Sequence, residues 1–350
     1  MRKILLLFTF LLVSTFAWCQ PVSREEAMQK AQNFVLSRHK TSSNGKMKMA
    51  FMMPKMTAVS GSGAYYYVFN VGEQDGYVIV SGDDFTDAIL GYADSGSFDE
   101  NNLPTNMKAW LSGYERQMKW IDANMDSVSI DSAANSPQKM PTKTKHPIAP
   151  LVQTKWNQDA PFNSLCPTYN GQKSYTGCVA TSMAQVMYYN KWPKNASVSI
   201  PAYATSTRHI NVDALNGTGL FDWDDMKLSY NGTEEGASAT AVATLMQYCG
   251  ASIEMDYYLD DAGESGAVSA NVATALRNYY NYASSVRYLS SSDYSMDGWL
   301  NLIYNELDNK RPVIYAGAAY AGGAHSFVCD GYDDEDYFHI NWGWGGVSDG

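Results

Sequence analysis

The sequence predicts an α+β protein of two domains, and three observations carry that reading. Residues 20–121 mix helix and strand patterns within the length of one small domain. Residues 122–146 then run through Ser, Asn, Thr, Lys and Pro, with almost no apolar content after Ile130, which marks a linker. Beyond it, residues 147–350 place helical patterns first and strand patterns last, as expected of two subdomains with a cleft between them.

Met1-Arg2-Lys3 is a basic start, Ile4 to Trp18 is a short apolar run, and Ala17 and Cys19 supply small residues for cleavage before Gln20. Residues 1–19 therefore read as a secretory signal peptide, too short for a membrane anchor, which needs about 20 apolar residues. Cys19 as a lipid-modified cysteine is disfavoured by the bulky Trp18 before it. Ser23-Arg24-Glu25-Glu26 is a capping box, followed by the helical stripe Ala27, Ala31, Phe34 and Val35. Residues 41–63 are polar and Met-rich, with a strand expected at 55–59. Tyr65 to Asn70 and Gly76 to Ser81 read as strands joined by a Gly72–Gly76 turn, with a further strand at Ile89 to Ala93. Leu103 to Ile121 is a helix whose apolar surface includes Met107, Trp110, Leu111, Tyr114 and Met118. Nothing in this first domain pairs a nucleophile with a base.

The linker carries Lys139, Lys143, Lys145 and His146. It reads either as a solvated tether or as an activation segment cut to release the second domain. In that second domain, Cys178 to Tyr189 forms a largely apolar helix with small residues near its start, entered through Gly177. Cys178 then sits at the helix N-terminus, where free N–H groups and the positive end of the dipole favour a thiolate. The competing reading is a buried small hydrophobe. Gln158 could donate its amide to an oxyanion beside the Cys178 N–H, or be a surface amide. Residues 190–220 are loop-rich and Phe221 to Met226 is a packed turn. Helices are expected at Ala237 to Cys249, Ser269 to Tyr279 and Met296 to Asp308, and a strand at Pro312 to Ala316.

Gly322 to Trp342 reads as a β-hairpin with apolar arms and an acidic turn. With that turn centred on Asp333 and Asp334, His325 and Asn341 become opposite or diagonal neighbours. A nucleophile, a base and an orienting amide make the Cys-His-Asn arrangement of papain-like chemistry. His339 reads as structural, and His39, His146 and His209 lie in polar surroundings. Asn341-Trp342-Gly343-Trp344-Gly345-Gly346 implies tight backbone, with tryptophans covering the edge of a site. A sheet that stops at Gly350 lacks a finishing strand, so the chain reads as a fragment of a longer protein.

Composition narrows the partners. The net charge of −11, with 25 scattered Lys and Arg, argues against nucleic acid and acidic membrane surfaces. With Cys19 removed, Cys166, Cys178, Cys249 and Cys329 permit two disulfides, but their spacing is not that of a disulfide scaffold. No CxxC or HExxH is present, and no metal or organic cofactor is expected.

These residues closely resemble the streptopain family of secreted bacterial cysteine peptidases, the C10 group of the papain-like clan. The matching pieces are Trp156-Asn157-Gln158 with Pro161-Phe162-Asn163, Thr176-Gly177-Cys178-Val179-Ala180-Thr181, His325 through Gly331-Tyr332, and Asn341-Trp342-Gly343-Trp344-Gly345-Gly346. Gly76 to Asp83 and Ile89 to Tyr92 resemble the family's inhibitory propeptide. The resemblance implies a papain-like two-subdomain catalytic domain behind a small α+β inhibitory propeptide domain. It implies Cys178 as nucleophile, His325 as base, Gln158 as oxyanion donor and Asn341 as the residue that orients the histidine. Trp344 and Trp342 would shield the cleft, lined also by Gly177, Gly323 and Ala324. It further implies secretion, protein or peptide substrates, inhibition by the chain's own propeptide, and cleavage near Lys143, Lys145 or His146. A transglutaminase or amidase with the same geometry, and an inert homologue acting as inhibitor or binding protein, are the rival readings.

Overall fold

The structure is a computed structural model that describes residues 21–38, 47–55, 63–84, 86–103, 105–124, 146–195, 197–217, 221–261, 263–318 and 324–350. The N-terminal domain is built on helix α1 (Arg24–Arg38), strands β1 (Met47–Pro54), β2 (Ala64–Val71), β3 (Tyr77–Ser81) and β4 (Ile89–Ala93), and helix α2 (Thr105–Asn124). The expected capping box starts α1: Ser23 Oγ accepts from Glu26 N–H, and Glu26 Oε2 accepts from Ser23 N–H. The strands form one antiparallel sheet in the order β1-β2-β3-β4.

Side-chain alternation explains why β2 and β3 read as unbroken apolar runs. Tyr67, Phe69, Val78 and Val80 pack with Ala27 and Ala31 of α1. Tyr66, Val68, Tyr77 and Ile79 face the other way and pack with Met107, Leu111 and Met118 of α2. Both faces of the sheet are covered, so no polar alternation survives. The strand expected at 55–59 is not where the edge strand lies. β1 occupies the Met-rich stretch Met47–Pro54, and positions 56–59 lie outside the described residues. Its methionines read as loop by composition, yet Met49 and Met53 pack toward opposite clusters because a bulge at Ala50 turns the strand over between them.

Residues 125–145 also lie outside the described residues, and the expectations for Lys139, Lys143 and Lys145 fall there. His146, where description resumes, is exposed. The helical half of the second domain contains α3 (Cys178–Asn190), α4 (Ala237–Ser252) and α5 (Asn271–Tyr279). Met183, Ala184 and Met187 of α3 meet Leu245 and Met246 of α4 in a core that also holds Trp156, Phe162 and Tyr280. The other half contains α6 (Met296–Asp308) and an antiparallel sheet of β5 (Val313–Ala318), β6 (Ala324–Tyr332) and β7 (Phe338–Asn341), with β6 central.

The hairpin is present, but its register corrects the expected pairing. Tyr332 pairs with Phe338, a bulge follows at Asp330, and Asn341 comes opposite Val328. His325 lies opposite Gly317 of β5. The turn closes between Asp333 and Tyr337, where Asp333 Oδ1 accepts the N–H groups of Glu335 and Tyr337. That side-chain acceptor moves the turn centre toward Glu335, which shifts His325 and Asn341 out of opposition.

The same acidic turn docks the N-terminal domain. Arg38 lies 2.5 Å from Asp333 and 3.6 Å from Glu335, with its guanidinium 4.4 Å from the centre of the Tyr92 ring. Phe34 and Tyr92 meet Tyr337 edge to face. The pair is mostly shielded from solvent, so removing one partner strands the other's charge. Arg38→Ala is expected to destabilise the N-terminal domain by about 1–2 kcal/mol. Urea unfolding followed at Trp110 measures this, and an unmoved midpoint would show that the clasp is energetically idle.

Candidate active site

Gly177 enters α3 at φ 84°, a backbone conformation that L side chains rarely adopt. A side chain there would also stand 2.7 Å from the Met255 thioether and 3.0 Å from the Ser265 carbonyl. The position is thus closed to other residues for two reasons. It makes Cys178 the first residue of the helix. Thr181 fastens the entry by donating its N–H and its hydroxyl to the Gly177 carbonyl, while Thr176 and Thr181 hydroxyls share a 2.9 Å bond.

The Cys178 thiol lies among backbone N–H groups of Ser326, Val179 and Cys178 itself. Burial outweighs those donors and pushes the thiol above its ordinary value, with Glu264 adding to the rise. One turn along α3, Ser182 Oγ and Ser326 Oγ meet at 2.8 Å. That bond pins the nucleophile's helix to the residue after His325, so the two expected catalytic side chains come to one seam.

His325 is buried at 4% exposure. Its Nε2 lies 2.8 Å from the Trp342 carbonyl oxygen. A carbonyl only accepts, so Nε2 carries the proton there and Nδ1 is left as the basic nitrogen. The ring sits 4.8 Å from Trp344 and 5.9 Å from Trp342, which themselves stack at 5.1 Å. Burial in this aromatic box pushes the imidazole down to about 4, against the pull of the Trp342 carbonyl.

Asn341 does not reach His325 directly, as the register already implies. Its Oδ1 accepts from Gln185 Nε2 at 3.0 Å and from Gly343 N–H at 3.1 Å, and its Nδ2 donates to the Thr154 carbonyl. Thr154 closes the ring by donating its hydroxyl to Gln185 Oε1. Asn341 therefore bears on the histidine through the Trp342–Gly343 peptide, whose N–H it holds and whose carbonyl holds His325. Sequence reasoning missed Gln185. Its signal is a lone amide inside an apolar helix, fully buried here and so in need of partners.

The remaining expected residues fall around this seam. Gln158 is largely buried and accepts the Thr176 N–H at its carbonyl, next to the loop that delivers Cys178. Ala324 is exposed at the start of β6, and Gly323 lies outside the described residues. Gly343, Gly345 and Gly346 take φ of 71°, 70° and 87°. They let the tryptophan loop fold against Thr181 and Lys155. Trp110, expected as plain apolar surface of α2, has a further role. It reaches across to Trp342 at 5.5 Å and to Phe327 at 6.2 Å, edge-on to both, and so roofs the histidine's box.

Asn341→Ala is expected to cost about 3 kcal/mol, because the Gln185 amide, the Gly343 N–H and the Thr154 carbonyl lose their partner in the interior. Denaturant unfolding in a Cys178→Ala background isolates this from any chemistry at the thiol. A midpoint equal to that of the parent would contradict the network.

The model of the Peptidase C10 family matches residues 156–350, and that of the Spi protease inhibitor family matches residues 19–118. The chain is 37% identical over 343 residues to the thiol protease/hemagglutinin PrtT of Porphyromonas gingivalis, covering 94% of this chain but only 38% of that protein. It is 35% identical over 312 residues to streptopain of Streptococcus pyogenes, covering 83% of this chain and 74% of streptopain. Among solved structures, a fragment of Prevotella intermedia prointerpain A superposes with a TM-score of 0.70 at 30% identity, covering 87% of this chain and 90% of that one. Active interpain A superposes with a TM-score of 0.54 at 34% identity, covering 58% and 85%.

Proposed function

The chain belongs to the peptidase C10 family, and from that premise we propose that it is the secreted zymogen of a cysteine endopeptidase, held latent by its own N-terminal domain. The observation that carries the reading is the seam itself: a cysteine at the start of α3, pinned through Ser182 and Ser326 to the strand that bears a boxed histidine. Residues 20–121 act as the inhibitory domain, 122–146 as the activation segment and 147–350 as the catalytic domain. Substrates are proteins or peptides.

In the reaction, the Cys178 thiol gives its proton to Nδ1 of His325, and the thiolate attacks the scissile carbonyl carbon. The oxyanion is held by the Cys178 N–H and the Gln158 amide. His325 returns the proton to the leaving amine as the C–N bond breaks, which leaves a thioester. Water, deprotonated by His325, attacks the thioester carbon, and the C–S bond breaks to release the acid and restore the thiol. No step asks for a cofactor.

Latency has an electrostatic basis. Burial pushes the Cys178 thiol up and the His325 imidazole down to about 4. Both changes favour the neutral pair over the thiolate–imidazolium pair that the first step requires. Trp110 packs edge-on against Trp342, one wall of the histidine's box, and it leaves when the N-terminal domain leaves. The Spi-type match of residues 19–118 supports an inhibitory role for that domain.

A time course of the purified proprotein by intact mass tests the reading. Wild type is expected to shorten to a fragment starting near residue 146, while Cys178→Ala stays whole. Equal shortening of the pure Cys178→Ala chain would sink self-processing. Amine incorporation in place of hydrolysis would indicate a transglutaminase. Failure of a thiol-directed epoxide to label Cys178 after removal of the N-terminal domain would indicate an inert homologue.

A further inference from the structure

The Trp342 carbonyl is hydrogen-bonded to His325, so whatever fixes Trp342 bears on the base. One side of that carbonyl is accounted for, because Asn341 holds the N–H of the following Gly343. The other side is held by a residue with no role so far. Asp349 Oδ1 accepts the N–H of Trp342 itself at 2.9 Å. Residues 347–350 fold back along β7 to make this contact, anchored by paired backbone bonds between Gly350 and Ile340 and by Val347 N–H to the Trp344 carbonyl.

We propose that Asp349 is a positioning residue for His325: its carboxylate fixes the backbone of Trp342, whose carbonyl holds the imidazole Nε2–H and leaves Nδ1 to face the thiol as base. This rests on the peptidase reading above. The loop that carries Asp349 is also where the N-terminal domain bears on the site. Ser348 donates to the Met107 thioether of α2 and is hydrogen-bonded to Tyr77 of β3. Gly350 lies so close to the Tyr92 carbonyl and Asp94 that a side chain there would meet them at 2.9 Å and 3.3 Å. Docking of the N-terminal domain is thereby joined to His325 through Ser348, Asp349 and Trp342.

The charges that face this carboxyl come from several elements. His339 on β7, Asp330 on β6 and Lys155 act on it directly, and Tyr77 of β3 feels its charge. Asp94 at the end of β4 acts on the neighbouring His339. Burial raises the Asp349 carboxyl to about 6, so it is ionised at neutral pH and protonated under mild acid. A neutral carboxyl accepts a weaker bond than a carboxylate, so the hold on Trp342 slackens as pH falls through that value.

The test uses the full chain and two readouts. In a Cys178→Ala background with ring-labelled histidines, NMR follows the His325 signal, assigned by His325→Ala, from pH 5 to 8. Asp349→Asn is expected to shift that signal and to abolish its inflection near pH 6. In chains that retain Cys178, Asp349→Asn is expected to slow self-shortening at pH 8 by about ten- to a hundredfold, the usual penalty for a misplaced base, and to flatten the acid limb of its pH profile. Val347→Ala, an exposed neighbour on the same loop, leaves both readouts as they were. An unmoved His325 signal, an unchanged or faster rate, or an equal effect of Val347→Ala overturns the proposal. Should the wild type itself never shorten, self-processing fails and the NMR arm alone decides whether Asp349 positions the histidine.

Discussion

Everything at this site hangs on a seam where a helix and a strand from opposite halves of the catalytic domain meet through polar groups. Apolar packing brings α3 against β6 but leaves the register along the seam loosely defined, since methylene contacts are not directional. The Ser182–Ser326 bond and the closed ring of Thr154, Gln185 and Asn341 supply that direction. Each is buried, so each is costly to break and leaves few alternative arrangements. A one-residue slip of α3 would unpair the Ser182 and Ser326 hydroxyls and both ends of the Gln185 amide at once. That penalty places Cys178 beside the residue that follows His325, a placement the hydrophobic core alone would not enforce.

The proposed latency follows from the same enclosure. A half-buried thiol and a buried imidazole both titrate toward their neutral forms, and the aromatic box does this more strongly to His325 than one carbonyl acceptor can offset. The helix N-terminus at Cys178 pulls the other way, as do the N–H groups around the sulfur, yet burial dominates. Activation therefore need not rebuild the seam. On the proposed reading it needs substrate to reach groups already in place, once Trp110, which caps Trp342 and Phe327, has left with the N-terminal domain.

Most of the fold was legible because its signals are local. The capping box at Ser23 and Glu26, the apolar run of β3, the helix at Met296–Asp308 and the glycine before Cys178 each declare themselves within a few residues. What was hidden depended on partners far away in sequence. β1 is disguised by its methionine-rich composition, and the bulge at Ala50 that turns it from one cluster to the other depends on its pairing with β2. The His325–Asn341 pairing failed because an aspartate side chain moved the centre of the turn. Trp110 looked like ordinary helix surface because the ring it meets, Trp342, lies in the other domain. Asp349 carried no signal at all until its carboxylate was seen against the Trp342 N–H.

The interface between the domains combines two unlike attachments. At one end Arg38 is clasped by Asp333 and Tyr92, a mostly shielded contact whose partners are costly to separate. At the other, Trp110 caps Trp342 and Phe327 in edge-on contacts worth about 1 kcal/mol each beyond the area they bury. Between them the domains enclose an apolar cavity of about 380 Å³, lined by Leu111 and Tyr77 on one side and Trp299, Tyr315 and Ile340 on the other. Atoms around a cavity forgo dispersion contacts that a packed core would have, so this seam holds less tightly than its area suggests. On the proposed reading the N-terminal domain binds well enough to silence the site and leaves once the linker is cut, and an interface held at its two ends and loosely packed between them suits both demands.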